Sequence, residues 1–189
     1  MIYRAFGKRV LDIFVSLAAL MLLSPLLLIA ALLIKVFDPG PVIFRQNRIG
    51  RNGEPFVFYK FRSMPVNTGD IPSDRIGTVK IGPVGRSIRR TSIDELPQLF
   101  NILRGDMSVV GPRPPIASQI ELIETRRANG ALLCRPGLTG LAQIRSFDGM
   151  TVSQKAAFDG TYARSVTFLG DVKIILGTFT YLLKPPPVY

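Results

Sequence analysis

The residues best suited to chemistry in this chain are two neighbouring carboxylates, Asp94 and Glu95, preceded by Arg89-Arg90 and followed by Arg113. There is no histidine and a single cysteine, Cys134. Acid, base or nucleophile work must therefore rest mainly on carboxylates. A carboxylate kept ionised by nearby cations can attack phosphorus to form an acyl phosphate. Lys60, Arg62, Arg89, Arg90 and Arg113 supply such cations and would attract a diphosphate. Magnesium typically takes one or two carboxylates together with phosphate oxygens, so the pair suits one nucleophile and one metal ligand. Arg113 stands between Pro112 and Pro114, whose fixed φ angles stiffen the loop that presents its guanidinium. A plainer reading makes Asp94 a helix cap and Glu95 a complement to the helix dipole. That reading leaves the surrounding cations unexplained.

The elements that must position this pair can be read around it. Pro97 is tolerated in a helix only within the first turn, which predicts Asp94 as N-cap of a short helix over about Leu96–Arg104. A phosphate is favoured at the same helix start. Leu96, Leu99, Phe100, Ile102 and Leu103 form its predicted buried side. Upstream, Val42-Ile43-Phe44 and Pro55 to Phe61 flank Gly50-Arg51-Asn52-Gly53, a hairpin signal. Strand alternation puts Phe56, Phe58, Lys60 and Arg62 on one face, and Val57, Tyr59 and Phe61 on the other. Lys60 and Arg62 then either meet a phosphate or simply carry their charges out to solvent from a strand end. Residues 67–83 read as a mobile loop, 116–128 and 171–183 as helices, and Pro185-Pro186-Pro187 as a stop. Asp106, after Gly105, reads as a turn residue bonded to its own backbone.

Composition indicates where such a site would work. The 189 residues suit one domain with attachments, and the net charge of +11 calls for an anionic partner. Nucleic acid is disfavoured: there is no tryptophan, no long basic helix and no zinc-finger spacing. Residues Ile13 to Ile34 carry no charge, a length that can span a bilayer. Ser24-Pro25 lies near the middle of this run, and each half would reach only about 16 Å as a helix. Arg4, Lys8 and Arg9 precede the run and Lys35, Arg45, Arg48 and Arg51 follow it, so positive charge gives no crossing direction. A re-entrant helix-break-helix and a proline-kinked single span both fit this pattern.

These motifs, taken together and in order, resemble the bacterial sugar transferases, the monotopic phosphoglycosyl transferases, in their minimal catalytic form. The resemblance rests on Lys8-Arg9 with Asp12, Ser24-Pro25, Gly40-Pro41-Val42, Lys60-Phe61-Arg62-Ser63-Met64 and Asp94-Glu95-Leu96-Pro97-Gln98-Leu99. It continues through Asn101, Gly105-Asp106-Met107-Ser108, Val110 to Pro114, Pro136 to Gly140, and Ala142-Gln143. It implies transfer of a sugar phosphate from a UDP-sugar to polyprenyl (undecaprenyl) phosphate, with release of UMP and a covalent aspartyl intermediate. Asp94 would be the nucleophile, Glu95 a magnesium ligand, and Lys60, Arg62, Arg89 and Arg113 the phosphate contacts. The resemblance further implies a membrane helix broken at Ser24-Pro25 and a location on the cytoplasmic face of the bacterial inner membrane. Membrane lipids become partners, nucleic acid does not, and a homo-oligomer is compatible. After Ala142-Gln143 many members carry Asn-Gly-Arg-Asn or Asn-Gly-Arg-Asp. This chain has Arg145-Ser146-Phe147-Asp148, which leaves the sugar unassigned.

The expected architecture is α+β and mainly helical. A re-entrant, Ser-Pro-broken membrane helix over residues 1–38 joins a small cytoplasmic catalytic domain over 39–189, with a β-hairpin and amphipathic interfacial helices. The competing reading from another class is a non-catalytic, basic membrane-surface adaptor for anionic lipid. It predicts that Asp94→Asn leaves function intact. A metal-assisted phosphatase or nucleotidyl enzyme would use the same cations without forming an adduct on Asp94.

Overall fold

The charge-free N-terminal run forms a single long helix, α1 (Lys8–Phe37), entered through a π turn at Tyr3–Gly7. This computed structural model describes residues 2–68, 81–145 and 150–183. At 30 residues α1 is about 45 Å long, and it is long and apolar enough to cross a membrane by length and composition. The expected break at Ser24-Pro25 does not form: Pro25 sits inside one continuous helix. Pro25 has no N–H to offer the carbonyl of Met21, and the Ser24 hydroxyl donates to that carbonyl at 2.9 Å instead. One face of α1 is buried at Asp12, Ser16, Ala30 and Ile34, with Val15, Ala19, Leu20, Leu27 and Ala31 partly buried between them. The spacing of three or four keeps these positions in one stripe along the helix. Phe14, Leu17, Met21, Leu22, Leu28, Ile29 and Leu32 project outward and are exposed.

The hairpin forms as expected, with a longer first strand: β1 (Ile43–Ile49) pairs antiparallel with β2 (Pro55–Phe61), Ile43 opposite Phe61 and Ile49 opposite Pro55. Asn52 takes a left-handed conformation in the connection, which also carries Gly53 at positive φ. After α2 (Pro83–Arg90) and α3 (Gln98–Arg104), a second small sheet pairs β3 (Ser108–Val110) in parallel with β4 (Gly137–Thr139). Sequence alternation did not signal it, because each strand is only three residues long. The remaining helices are α4 (Ile120–Ala128), α5 (Leu141–Arg145), α6 (Val152–Arg164) and α7 (Phe168–Leu182). α4 begins four residues later than expected from the sequence and α7 three residues earlier, with Thr167 accepting from the Gly170 amide as its cap. Most of the expected 67–83 loop, Ser146 to Asp148, and Pro185 to Pro187 lie outside the described residues.

Two cores meet along α1. Phe58, Leu99, Ile102, Met107, Val109, Val110, Tyr162 and Ile174 pack around its N-terminal half. Ala30 and Ile34 join Phe61 and Ile88 around its C-terminal half. β2 serves both, because Phe58 and Phe61 lie on opposite strand faces. The N-terminal half is further held by polar contacts. The Asp12 carboxylate accepts from the Ser108 hydroxyl and the Val109 amide, both at 2.9 Å. Arg9 donates to the carbonyls of Ile102 and Leu103, ending α3 with a positive charge. Buried Asp171 accepts from Lys8, Tyr3 and Tyr162, so α7 is tied to the same helix.

Candidate active site

The carboxylate pair sits in the reversal between α2 and α3. Ser92 turns the chain by adopting the left-handed region, φ 55° and ψ 16°, an uncommon cost for a residue with a side chain. A single 3-10 turn, Ile93–Glu95, follows and carries Asp94 inward to 2% exposure. The sequence expectation that Asp94 caps α3 is overturned. The amides of Glu95 and Leu96 are already bonded to the carbonyls of Ser92 and Ile93, and Pro97 has no amide to give. α3 starts only at Gln98, with Pro97 at its cap. Its buried face also differs: Phe100 is 53% exposed, while Gln98 and Asn101 are buried.

Lys60 Nζ lies 2.7 Å from Asp94 Oδ2 and 3.9 Å from Glu95 Oε1. Arg113 grips Glu95 with two nitrogens, Nη2 to Oε1 at 2.6 Å and Nη1 to Oε2 at 3.3 Å. Each carboxylate thus has its own cation, and the two cations differ in kind. Burial pushes Asp94 above the usual carboxylate range; Lys60 opposes that rise and the Glu95 charge adds to it. Burial acts upward on Glu95 as well, but Arg113 and then Lys60 outweigh it and hold the carboxyl at about 2. Arg89, in the last turn of α2, lowers both. The site therefore combines a carboxylate raised by burial with a second one lowered by a two-pronged arginine.

Supporting contacts explain how the strand, turn and loop meet. Asn101 is fully buried and treats β2 as a sheet edge: it accepts from the Tyr59 amide at 3.0 Å and donates to the Val57 carbonyl at 2.7 Å. This fixes α3 against the strand that carries Lys60. Asp106 accepts from Asn101 Nδ2 at 3.2 Å, so its role is structural through Asn101 and not through its own backbone. The Arg113 loop is held from behind. Buried Arg126 donates to the Arg113 carbonyl at 2.8 Å and to Asp159 Oδ2 at 2.8 and 2.6 Å. Sequence reasoning did not single out Arg126 or Asp159. The available signal was helical phase, since Leu122, Ile123 and Arg126 share the buried face of α4 while Arg127 pairs with Glu124 outside. Gly111 and Gly137 explain the two glycine motifs: a Cβ at Gly137 would stand 2.1 Å from the Gly111 amide nitrogen beside the parallel β3–β4 pair.

Of the expected site residues, Asp94, Glu95, Lys60 and Arg113 are brought together, with Arg89 close enough to act on both carboxylates. Arg62 is not part of this cluster. Its guanidinium turns to Asp38, bonding the backbone carbonyl and standing 3.3 Å from the carboxylate. Ser24 and Pro25 lie within α1, exposed. As a magnesium site, the donors fit in part. Among the described residues no group of three metal-ligating side chains exists. Two adjacent hard-oxygen carboxylates suit an ion that completes its shell with phosphate oxygens, but Lys60 already stands 2.7 Å from Asp94 Oδ2 and Arg113 holds both Glu95 oxygens.

The family model described as bacterial sugar transferase matches residues 3–185. This chain belongs to the bacterial sugar transferase family. Among this family's curated members, a UDP-glucose:undecaprenyl-phosphate glucose-1-phosphate transferase of Caulobacter vibrioides is 42% identical, over 96% of this chain and 72% of that protein. The exopolysaccharide production protein PSS of Rhizobium leguminosarum is 43% identical, over 90% of this sugar transferase and 92% of that protein. An undecaprenyl-phosphate galactose phosphotransferase of Salmonella typhimurium is 36% identical over 97% of this chain, which spans 42% of that longer protein.

Proposed function

We propose that this sugar transferase moves a sugar 1-phosphate from a UDP-sugar to undecaprenyl phosphate through a covalent intermediate on Asp94. The observation that carries this reading is the unequal carboxylate pair: a buried Asp94 beside Lys60, next to a Glu95 held ionised by Arg113. In the first step an Asp94 oxygen bonds to the sugar-linked phosphorus, and the bond from that phosphorus to the bridging oxygen breaks. UMP leaves with the bridging oxygen. In the second step an oxygen of the lipid phosphate attacks the same phosphorus and frees Asp94, giving a lipid diphosphate sugar. Lys60 neutralises Asp94 before attack and can pass its charge to the phosphoryl oxygens afterwards. Arg113 and Arg89 would face the diphosphate. Magnesium, held by Glu95 and substrate phosphate oxygens, would neutralise charge on the leaving group.

The membrane placement belongs to the same proposal: α1 lies in one leaflet without crossing to the other side, leaving the catalytic body on the cytoplasmic face of the inner membrane. Both halves of α1 bury the same stripe against one body, which supports both ends lying on one side. The decisive experiment incubates the protein with undecaprenyl phosphate, magnesium and a panel of UDP-sugars and measures UMP. Release with one donor is expected, and Asp94→Asn should lower it by about a thousand-fold or more while membrane association persists. An undiminished rate in Asp94→Asn would remove the nucleophile assignment and favour an adaptor or a direct hydrolytic site.

A further inference from the structure

The end of α1, the residues after β2 and the start of α2 enclose a cavity of about 290 Å³, lined by Ile34, Phe37, Arg62, Met64, Gly82 and Val84 among others. Arg62 is only 5% exposed. Its ion pair with Asp38 occupies Nη2, while Nε and Nη1 have no hydrogen-bond partner among the described residues. A buried guanidinium with unsatisfied donors is costly, and it lines an open cavity. The first turn of the eight-residue helix α2 opens at the same place: Gly82 is its N-cap, Pro83 follows, and no side chain caps the first amides. Helix start and guanidinium both favour an anion. Most of the remaining wall is apolar and comes from the end of α1, where Phe37 is 67% exposed; Asp38, already paired with Arg62, and Ser63 also line it. Arg62 follows Lys60 by two residues just past the end of β2, about 7 Å along an extended chain, so this cavity adjoins the Asp94 cluster without being part of it.

We propose that the cavity binds the phosphate monoester headgroup of the acceptor lipid, with the chain leaving past Phe37, before that phosphate advances to Asp94. This rests on the reaction class proposed above, but the binding can be read by itself. The probe is farnesyl phosphate titrated into the protein in neutral detergent micelles, followed by ³¹P line broadening. A Cβ at Gly82 meets nothing within 4 Å, and Asp and Asn are both favoured caps, so Gly82→Asp and Gly82→Asn should fold. Only the first puts a negative charge where the phosphate would lie. Expected are binding by the wild type, at least ten-fold weaker binding by Gly82→Asp than by Gly82→Asn, and a matching rise in acceptor KM with an unchanged burst of UMP. Failure of the wild type to bind, or equal weakening by both variants, would overturn the site. Equally tight binding of inorganic phosphate or of phosphatidylglycerol would overturn its assignment to a lipid phosphate monoester. Farnesyl phosphate binding without UMP release from any UDP-sugar would keep the site and discard the reaction.

Discussion

At the scale of single residues the division between Asp94 and Glu95 is set by their cations. Lys60 is a point charge that opposes the rise burial imposes on Asp94, and Arg113 is a planar fork matched to the two oxygens of Glu95. The two carboxylates therefore respond differently to pH. Glu95, held at about 2, stays charged through the working range. For the proposed attack Asp94, raised by burial, must lose its proton, so the UMP burst should fall as pH drops through the Asp94 pKa. Lys60 lowers that pKa; Lys60→Met removes the lowering influence and should shift the acid limb to higher pH. A burst profile that keeps its acid limb in Lys60→Met would mean that another group sets it. The same substitution tests how far the site was legible. Residue types alone singled out Asp94, Glu95, Lys60, Arg89 and Arg113, because a chain without histidine leaves few alternatives. Arg62 was grouped with them by strand alternation, which gives a face but not the partner a long side chain will choose. Asp38, which takes it, lies 24 positions earlier in the chain.

At the scale of elements, the hairpin, the long apolar helix and the short helix after Pro97 could all be read from period and turn chemistry. The parallel β3–β4 pair could not, because its pairing is set by contact between distant glycines and not by alternation. Gly137→Ala should disrupt it, since the added methyl group would meet the Gly111 backbone and not a flexible side chain. A thermal midpoint equal to wild type would show that this close approach can relax. The N-cap expectation for Asp94 failed for a local reason: a 3-10 turn consumed the amides a cap needs. The buried Arg126–Asp159 pair is a second feature hidden from sequence, as Arg126 and Arg127 look alike until the fold divides them. Arg126→Met strands the Asp159 charge in the interior and should cost about 3–5 kcal/mol of stability. Pairing it with Asp159→Leu should recover most of that loss. If Arg126 also positions Arg113 through its carbonyl, the stable double variant will still show a raised KM for the UDP-sugar. Recovery of both stability and KM would confine the pair to a structural role.

At the scale of the whole molecule, the arrangement of α1 determines how the soluble nucleotide sugar and lipid phosphate of the proposed reaction could meet. A helix crossing a bilayer would carry one end away from the catalytic body. Here Arg9 and Asp12 are bound to α3 and β3 near one end, and Ala30 and Ile34 are packed with Phe61 and Ile88 near the other. Separating those ends across about 30 Å of hydrocarbon would break two polar anchors, one of them the buried Asp12, and split a core. The outward face, Phe14 to Leu32, is left for lipid, and α7 adds exposed Phe168, Leu169, Leu176 and Phe179. Sidedness labelling tests this directly. In a Cys134→Ser background, single cysteines at Ala5 and Glu54, both exposed, should react with an impermeant maleimide only after the cytoplasmic side is opened. Labelling of Ala5→Cys in intact cells, with Glu54→Cys still protected, would make α1 a true span. The stripe at Asp12, Ser16, Ala30 and Ile34 would then have to be rebuilt in the membrane-bound protein. The same result would place the Arg62 cavity and the Asp94 pair at only one end of α1, and the leaflet holding the acceptor lipid would have to be the one next to Phe37.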